Sequence, residues 1–286
     1  MAADIGAYQT KYRQELILGF EDRQSRLRST VVTEADVNGN QAIFLVSDSG
    51  SATATTRGAD GLLVARDDSH TQNTATLAEW HDLVRKSRFN IFASQGNQLA
   101  LMQTTSMGVI NRKIDDDIIA ALDGATNDTG AATTANLNTI TKALTILGDN
   151  TVDIEEEDKM FALVSPGFRG ELLQIPEYSS GDYVEVKPLV GPARSFYRWA
   201  GFNWIVHPRL TGSVGAGGTG ASEKCYFYHQ DSIGHAIDKE GLDTAIGYDD
   251  EQDYSYCRMS TFMGSVKLQN KGIVQYLHDN SGNVAS

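Results

Sequence analysis

The stretch Asn97–Gly124, NQLALMQTTSMGVINRKIDDDIIAALDG, is the feature around which the rest of the chain is organised. Apolar side chains recur along it at three-, four- and five-residue steps: Leu99, Met102, Met107, Ile110, Ile114, Ile118 and Leu122. This spacing predicts one amphipathic helix, which ends where Gly124 follows the last periodic residue. About 27 residues span roughly 40 Å, whereas an average helix has about 11–12 residues. A helix of this length can carry separate substructures at its two ends.

Composition limits the classes of protein to which the chain can belong. It has 286 residues, a net charge of −13 and two cysteines, Cys225 and Cys257. The length allows one or two domains with a sizeable core, and the acidic balance disfavours broad contact with nucleic-acid phosphates. The cysteines lack metal-ligand spacing, which favours free thiols in the cytoplasm. No stretch approaches about 18 consecutive apolar residues, so we expect no membrane span.

Two segments before the long helix have patterns that suit surfaces. Residues 4–28 are predicted to form a helix that packs either on a neighbouring subunit or on the chain's own core. Its apolar stripe consists of Tyr8, Tyr12, Leu16 and Phe20. Further on, the apolar runs Ala42–Val46 and Leu62–Ala65 flank a polar, turn-rich middle, which predicts a long hairpin. The middle cannot bury itself, so we expect it to be disordered or to order against something else.

The segments nearer the long helix combine strands and helices. Trp80–Phe92 is predicted to form either a second strand system or a short helix, and Leu137–Leu147 a helix. Ser165 and Pro166 suit the start of another helix, directly after the apolar strand Met160–Val164. Further strands are predicted at Phe202–Val206, Cys225–His229, Ile233–Ile237, Tyr254–Leu268 and Ile273–His278. The pattern indicates an α+β protein.

Motifs for catalysis or ligand binding are weak. The glycines of residues 215–220 match G-x-G-x-x-G, but a strand follows them where a nucleotide site needs a helix. His229, Asp231 and His235 would share one face of a continuous strand and could hold a metal, although turn-forming residues lie between them. The adjacent carboxylates of residues 115–117 point in different directions on a helix. We therefore assign no catalytic, cofactor-binding or metal-ligating residue.

The order of these features resembles the major capsid proteins of tailed bacteriophages, which have the Hong Kong 97-type fold. Several stretches also look like this family: AIFLVSDSGSATATTRGADG, TLAEWHDLV, NRKIDDDIIAAL, FALVSPGFRGELL, GFNWIVHPRL, YFYHQDSIGHAID and GSVKLQNKGIVQY. The resemblance implies an N-terminal arm, an extended hairpin called the E-loop, a long spine helix, a peripheral β-sheet and an axial domain. The segments expected are 1–30 for the arm, 31–96 for the E-loop and the start of the peripheral domain, 97–124 for the spine helix, 125–253 for the axial domain, and 254–286 for the returning strands and the C-terminus.

The resemblance also implies a function without catalysis, metal or cofactor. The expected protein is a virion subunit that is assembled in the host bacterial cytoplasm into hexamers and pentamers of an icosahedral head. Such a head encloses double-stranded DNA without specific binding. The expected partners are other copies of the chain, a scaffolding protein, a portal and a decoration protein. The residues expected at contacts between subunits are Tyr8, Tyr12, Leu16, Phe20, Arg57, Asp60, Arg66 and Asp67.

Two departures from relatives qualify this expectation. Some relatives cross-link an E-loop lysine to a neighbouring asparagine, but no lysine lies between Lys11 and Lys86, so no such isopeptide bond is expected. About 30 residues precede the first predicted strand, which favours a separate scaffolding protein. Two alternatives stay open: an encapsulin-type shell around cargo enzymes, and a small soluble enzyme that uses His207, His229 or His235.

Overall fold

The computed structural model describes residues 24–50, 52–61, 63, 65–94, 97–176, 197–210, 222–238 and 241–280, and these residues have an α+β architecture. The helices are α1 (Arg88–Ala93), α2 (Gln98–Asp123), α3 (Leu137–Asp149) and α4 (Pro166–Leu172). The strands are β1 (Val32–Val37), β2 (Gln41–Asp48), β3 (Ser69–Thr76), β4 (Ala78–Ser87), β5 (Met160–Val164), β6 (Tyr197–Trp199), β7 (Phe202–Val206), β8 (Ser222–His229), β9 (Ile233–Asp238), β10 (Asp243–Asp249), β11 (Tyr254–Lys267) and β12 (Ile273–Asp279).

Helix α2 confirms the predicted long helix, which has 26 residues. The predicted stripe is buried along most of its length, because Met102, Ile110, Ile114, Ile118 and Leu122 are at most 2% exposed. Two members of the predicted stripe were assigned wrongly to the buried face: Leu99 is 40% exposed and Met107 is 46% exposed. Their spacing fits the helical repeat, because each lies three residues before a buried member of the stripe, Met102 or Ile110. Burial at these two positions therefore depends on what packs over the first half of the helix and not on periodicity.

The chain divides into two compact units. One contains Glu79–Lys113 and Leu242–Thr261, and the other contains Arg26–Ala78, Ile114–Gly241 and the residues from Phe262 onward. Helix α2 and strand β11 each have residues in both units. The five segments that the resemblance implies stay a prediction, and most of the expected N-terminal arm lies outside the described residues.

The larger unit contains a five-stranded sheet in the order β12-β8-β5-β7-β6. Its strand β5 lies parallel to β7 and antiparallel to β8, and all five β5 residues are buried, as the apolar run predicts. Helix α4 follows β5 directly, and the Ser165 hydroxyl accepts the N–H of Phe168 as the predicted N-cap. In the same unit β1 lies parallel to β9, and β9 lies antiparallel to the second half of β11.

The smaller unit is built around the first half of β11. Strand β10 pairs antiparallel with Tyr254–Ser260, and β4 also pairs with β11. Trp80–Phe92 contains both of the predicted alternatives, because β4 ends at Ser87 and α1 starts at Arg88. Strands β1 and β10 were not predicted, since their sequences contain few large apolar residues.

The predicted hairpin is present, but its second strand was predicted wrongly. The partner of β2 is the polar strand β3, and the described residues Leu63 and Ala65 belong to no strand. β3 can be polar because most of its side chains face water, and its threonines suit a pleated strand without a core behind it. Apolar content is therefore a poor guide to a ribbon that is mostly exposed.

Candidate functional site

The E-loop hairpin, defined here as residues 41–76, is the strongest candidate site because it stands apart from the sheets. β2 and β3 pair over eight positions, from Gln41 opposite Thr76 to Asp48 opposite Ser69. No other strand of the described residues joins this two-stranded sheet. An isolated two-stranded ribbon is only marginally stable in water. The hairpin therefore needs support from its root or from another molecule.

One face of the hairpin packs on its own subunit, and its apolar contacts lie in the half of the ribbon nearest the root. Ala42 and Ala75 are buried in a small apolar cluster with Val37 and Ala236. The partly buried side chains that pack against this cluster are Phe44, Leu77 and Val266. Since a two-residue period separates the faces of a strand, every second side chain of β2 points the other way.

The opposite face of the hairpin exposes large aliphatic side chains. Ile43 is 61% exposed and Leu45 is 63% exposed, and both alternate with the inward-facing Ala42 and Phe44. Their cross-strand neighbours, Thr74 and Gln72, are polar. This outer face is suited to contact with another molecule, because burial there would remove apolar surface from water.

The four charged residues predicted for subunit contact all lie in the exposed connection between β2 and β3. Arg66 pairs with Asp68 at 2.6 Å, rather than with the neighbouring Asp67. Within the described part of the chain, Arg57, Asp60 and Asp67 form no hydrogen bond or ion pair. An exposed pair such as Arg66–Asp68 contributes only about 0–1 kcal/mol. The other predicted contact residues, Tyr8, Tyr12, Leu16 and Phe20, lie outside the described residues.

The carboxylates of helix α2 separate, as their spacing predicts. Asp115 is buried, and its oxygens accept the backbone N–H groups of Arg26, at 3.1 Å, and Leu27, at 3.2 Å. The same carboxylate lies 3.1 Å from Nε2 of the buried His207. Next to it, Asp116 binds the guanidinium of Arg209 through two hydrogen bonds near the surface. Asp115 therefore ties the chain at residues 26–27 to the long helix.

The role of Asp115 was not predicted from the sequence. Its only sequence signal is an acidic residue directly after Ile114 in the apolar stripe, which does not identify the partners.

The histidines considered for an enzyme have separate surroundings. The turn Gln230–Ser232 separates β8 from β9, so His229 and His235 are not on one continuous strand as the metal hypothesis required. His235 is fully buried, with Nδ1 2.9 Å from the Ser265 hydroxyl. Burial and the nearby Arg28 lower the pKa of His235 to about 4, which Asp115 partly opposes. Among the described residues, no group of three or more His, Cys, Asp or Glu side chains could hold a metal ion.

The thiols do not favour nucleophilic chemistry. Cys225 and Cys257 are both buried and unbridged. Burial raises the pKa of Cys225 to about 12, so its reactive thiolate form is scarce at neutral pH. The G-x-G-x-x-G glycines at 215–220 lie outside the described residues. No helix in the described part of the chain has the length and apolar character to cross a membrane.

A buried polar network near the end of β12 was also missed. The imidazole of His278 lies between two carboxylates, 2.9 Å from Glu171 and 3.2 Å from Glu223. Asn280 donates to Glu223 at 2.9 Å, and Glu171 also accepts the N–H of Ala135. This network joins the end of β12 to α4 and β8. Because buried polar groups are stable only with their partners in place, the network fixes the position of these three elements relative to one another.

Comparison with solved structures gives the fold. The capsid of cyanophage P-SCSP1u matches with a TM-score of 0.71 and 12% identity, covering 96% of this chain and 94% of that chain. Mycobacterium phage Che8 gives a TM-score of 0.75 and 14% identity, covering 96% and 98%. The capsid of a native GTA particle gives 0.69 and 13%, covering 97% of each chain. These similarities confirm the predicted α+β fold of tailed-phage, Hong Kong 97-type capsid proteins.

Comparison with protein families gives the identity. No curated protein gives a significant match to the sequence. A family model described as "Phage capsid protein" matches residues 5–280, nearly the whole chain. The chain therefore belongs to the phage capsid protein family, and it is a structural protein of a bacteriophage capsid.

Proposed function

We propose that the chain assembles through its E-loop hairpin and its N-terminal arm into hexamers and pentamers of an icosahedral head that encloses double-stranded DNA. The observation that carries the proposal is the outer face of the hairpin, where Ile43 and Leu45 are more than 60% exposed. Contact with a neighbouring copy would cover these side chains and pack against the face of the ribbon that its own subunit leaves exposed. The expected N-terminal contacts are made by Tyr8, Tyr12, Leu16 and Phe20.

The connection between β2 and β3 would add polar contacts with the neighbour. Arg57, Asp60 and Asp67 are exposed and have no partner among the described residues, and Arg66 has only the exposed pair with Asp68. Opposite charges on the neighbour would align the two subunits rather than supply most of the affinity. The absence of lysine between Lys11 and Lys86 supports assembly without an isopeptide cross-link from the E-loop.

The proposal includes partners and a location. Assembly takes place in the host bacterial cytoplasm with a separate scaffolding protein, a portal and a decoration protein. The subunit works through surfaces and not through catalysis. The charge of −13 supports a shell wall that contains DNA without holding it tightly, since phosphates are repelled by an acidic surface.

The test replaces residues 49–68 by Asn-Gly, a two-residue turn that closes a hairpin at the Asp48–Ser69 pair. We expect the shortened subunit to remain folded by circular dichroism, because the root cluster is unchanged. We also expect it to form no closed shells by electron microscopy when it is produced with the other head proteins. A second variant, Ile43→Thr with Leu45→Thr, keeps β-forming residues and should also reduce assembly, while the polar control Gln72→Thr should not.

Four outcomes would contradict parts of the proposal. Normal shells from the shortened subunit would show that the E-loop is dispensable. Unfolding of the shortened subunit would show that the hairpin belongs to the subunit's own core. Wild-type protein that stays monomeric under all conditions would favour the soluble-enzyme alternative, and shells filled with protein instead of DNA would favour the encapsulin-type alternative.

A further inference from the structure

The root of the E-loop hairpin crosses β11 at an unusually short distance. A Cβ atom added to Gly264 would lie 2.2 Å from the backbone oxygen of Thr76 and 2.9 Å from its carbonyl carbon. Both are backbone atoms, so no side-chain rotation could relieve the contact. Only glycine lets the end of β3 approach β11 this closely.

A second glycine lies under the other strand of the hairpin. A Cβ atom added to Gly234 of β9 would lie 3.0 Å from two ring carbons of Phe44 and 3.1 Å from Leu268. Gly234 is the cross-strand partner of Val266 on β11, and Gly264 is the partner of Ala236 on β9. The two glycines therefore lie on neighbouring strands, one beneath β2 and the other beneath the end of β3.

Hydrogen bonds and an ion pair hold the hairpin on this surface. The Asn73 side chain donates to the carbonyl of Leu268 at 3.2 Å. Within the hairpin itself, the N–H of Leu77 donates to the carbonyl of Asn40 at 2.9 Å and closes its base. Further along β2, Asp48 lies 3.7 Å from the ammonium group of Lys271. The Asn73 and Asp48 contacts connect one residue of each strand to the same unit of the chain.

We propose that Gly264 and Gly234 form a seat that sets the angle at which the E-loop hairpin leaves the subunit, and that this angle determines how the hairpin meets a neighbouring copy. The effect of the angle on contact with a neighbouring copy rests on the proposed function, whereas the existence of the seat does not. A Cβ at position 264 needs about 1 Å more room to reach an ordinary contact of 3.4 Å with Thr76. Eight strand residues span about 26 Å, so a tilt of about 5° at the root moves the far end by about 2 Å.

The experiment compares Gly264→Ala with Gly170→Ala in the full chain. Gly170 is the matched control because a Cβ atom there would meet nothing within 4 Å apart from its chain neighbours and the backbone of its own helix. Spin labels at Gln72→Cys on β3 and Asn138→Cys on α3 report the hairpin's position by pulsed electron paramagnetic resonance, since both sites are exposed and the native cysteines are buried. We expect Gly264→Ala to shift the mean distance by about 2 Å, and Gly170→Ala by less than about 1 Å.

Assembly is measured separately by electron microscopy of the unlabelled variants. We expect Gly264→Ala to reduce closed shells at least tenfold and Gly170→Ala to match wild type. An unchanged label distance in Gly264→Ala overturns the seat, whatever assembly does. A shifted distance with normal shells overturns the link between angle and assembly. Failure of the wild type to assemble counts against the proposed function alone, because the label distance still tests the seat.

A second variant keeps the seat testable if Gly264→Ala does not fold. Gly234→Ala meets a side chain instead of backbone, so its smaller shift should be reversed by Phe44→Leu in the double variant. A shift in Gly234→Ala that the double variant does not reverse, or no shift at all, would also overturn the seat.

Discussion

At the scale of single residues, His235 shows how a buried side chain makes the stability of the fold depend on pH. It is fully buried on β9, and its Nε2 has no hydrogen-bond partner among the described residues. Burial, together with repulsion from Arg28, lowers the pKa of His235 to about 4, whereas an unfolded histidine has a pKa of about 6.5. Between these two values the unfolded chain binds a proton that the folded chain does not.

Above about pH 6.5 the imidazole is neutral in both states, so the free energy of unfolding is at its full value. As the pH falls from 6.5 towards 4, protonation of the unfolded chain lowers the free energy of unfolding. We expect the free energy of unfolding in urea to fall by about 1.3 kcal/mol between pH 7.5 and 5.5 because of this residue. The variant His235→Gln should show a pH dependence smaller by that amount. An unchanged pH dependence in the variant would mean that His235 is protonated in the folded chain at pH 5.5.

At the scale of secondary-structure elements, helix α2 holds a distant part of the chain through Asp115. This buried carboxylate accepts two backbone N–H groups and lies next to His207. Asp116 is an internal control, because its pair with Arg209 lies near the surface. The adjacent positions have the same residue type in the same helix, so they differ mainly in burial.

We expect Asp115→Ala to lower the free energy of unfolding by about 3–5 kcal/mol, because it leaves buried donors without an acceptor. Asp116→Ala should cost at most about 1 kcal/mol. Urea unfolding of both variants at pH 7.5, monitored by circular dichroism, measures the difference between their free energies of unfolding. Equal losses of stability would show that burial of the Asp115 carboxylate is not what stabilises this junction.

At the scale of the whole molecule, the acidic net charge determines how the protein interacts with DNA at a distance. The net charge of −13 is spread over 286 residues, and the chain contains 24 Lys and Arg against 37 Asp and Glu. Nonspecific DNA binding depends on contacts between cationic side chains and phosphates, and typical binders reach dissociation constants of about 10⁻⁴–10⁻⁶ M.

We expect no anisotropy change of a labelled 20-base-pair duplex up to about 100 μM protein in 150 mM NaCl. Lower salt should not produce binding, because reduced screening strengthens repulsion between like charges. A known basic DNA-binding protein is the positive control. Binding at low salt that disappears at high salt would instead reveal a basic surface hidden within the acidic total.

Sequence alone predicted the parts of the fold that depend on local periodicity and capping. Helix α2, the buried strand β5 and the start of α4 at Ser165 all follow from residues within a few positions of each other. The order of these elements, together with short similar stretches, also led to the capsid family. For the site, the sequence predicted that a hairpin exists and that its connection carries exposed charges.

The tertiary structure decided the features that depend on residues far apart in the chain. The polar strand β3 pairs with β2 in a register that hydrophobicity does not encode, because one face of the ribbon is mostly in water. Asp115 finds a partner 92 residues away in His207, and the glycine at 264 meets the backbone of Thr76. An isolated glycine in a strand signals a close approach, but only folding shows which segment approaches it. Local patterns determine elements, whereas contacts between elements depend on the packing of the whole chain.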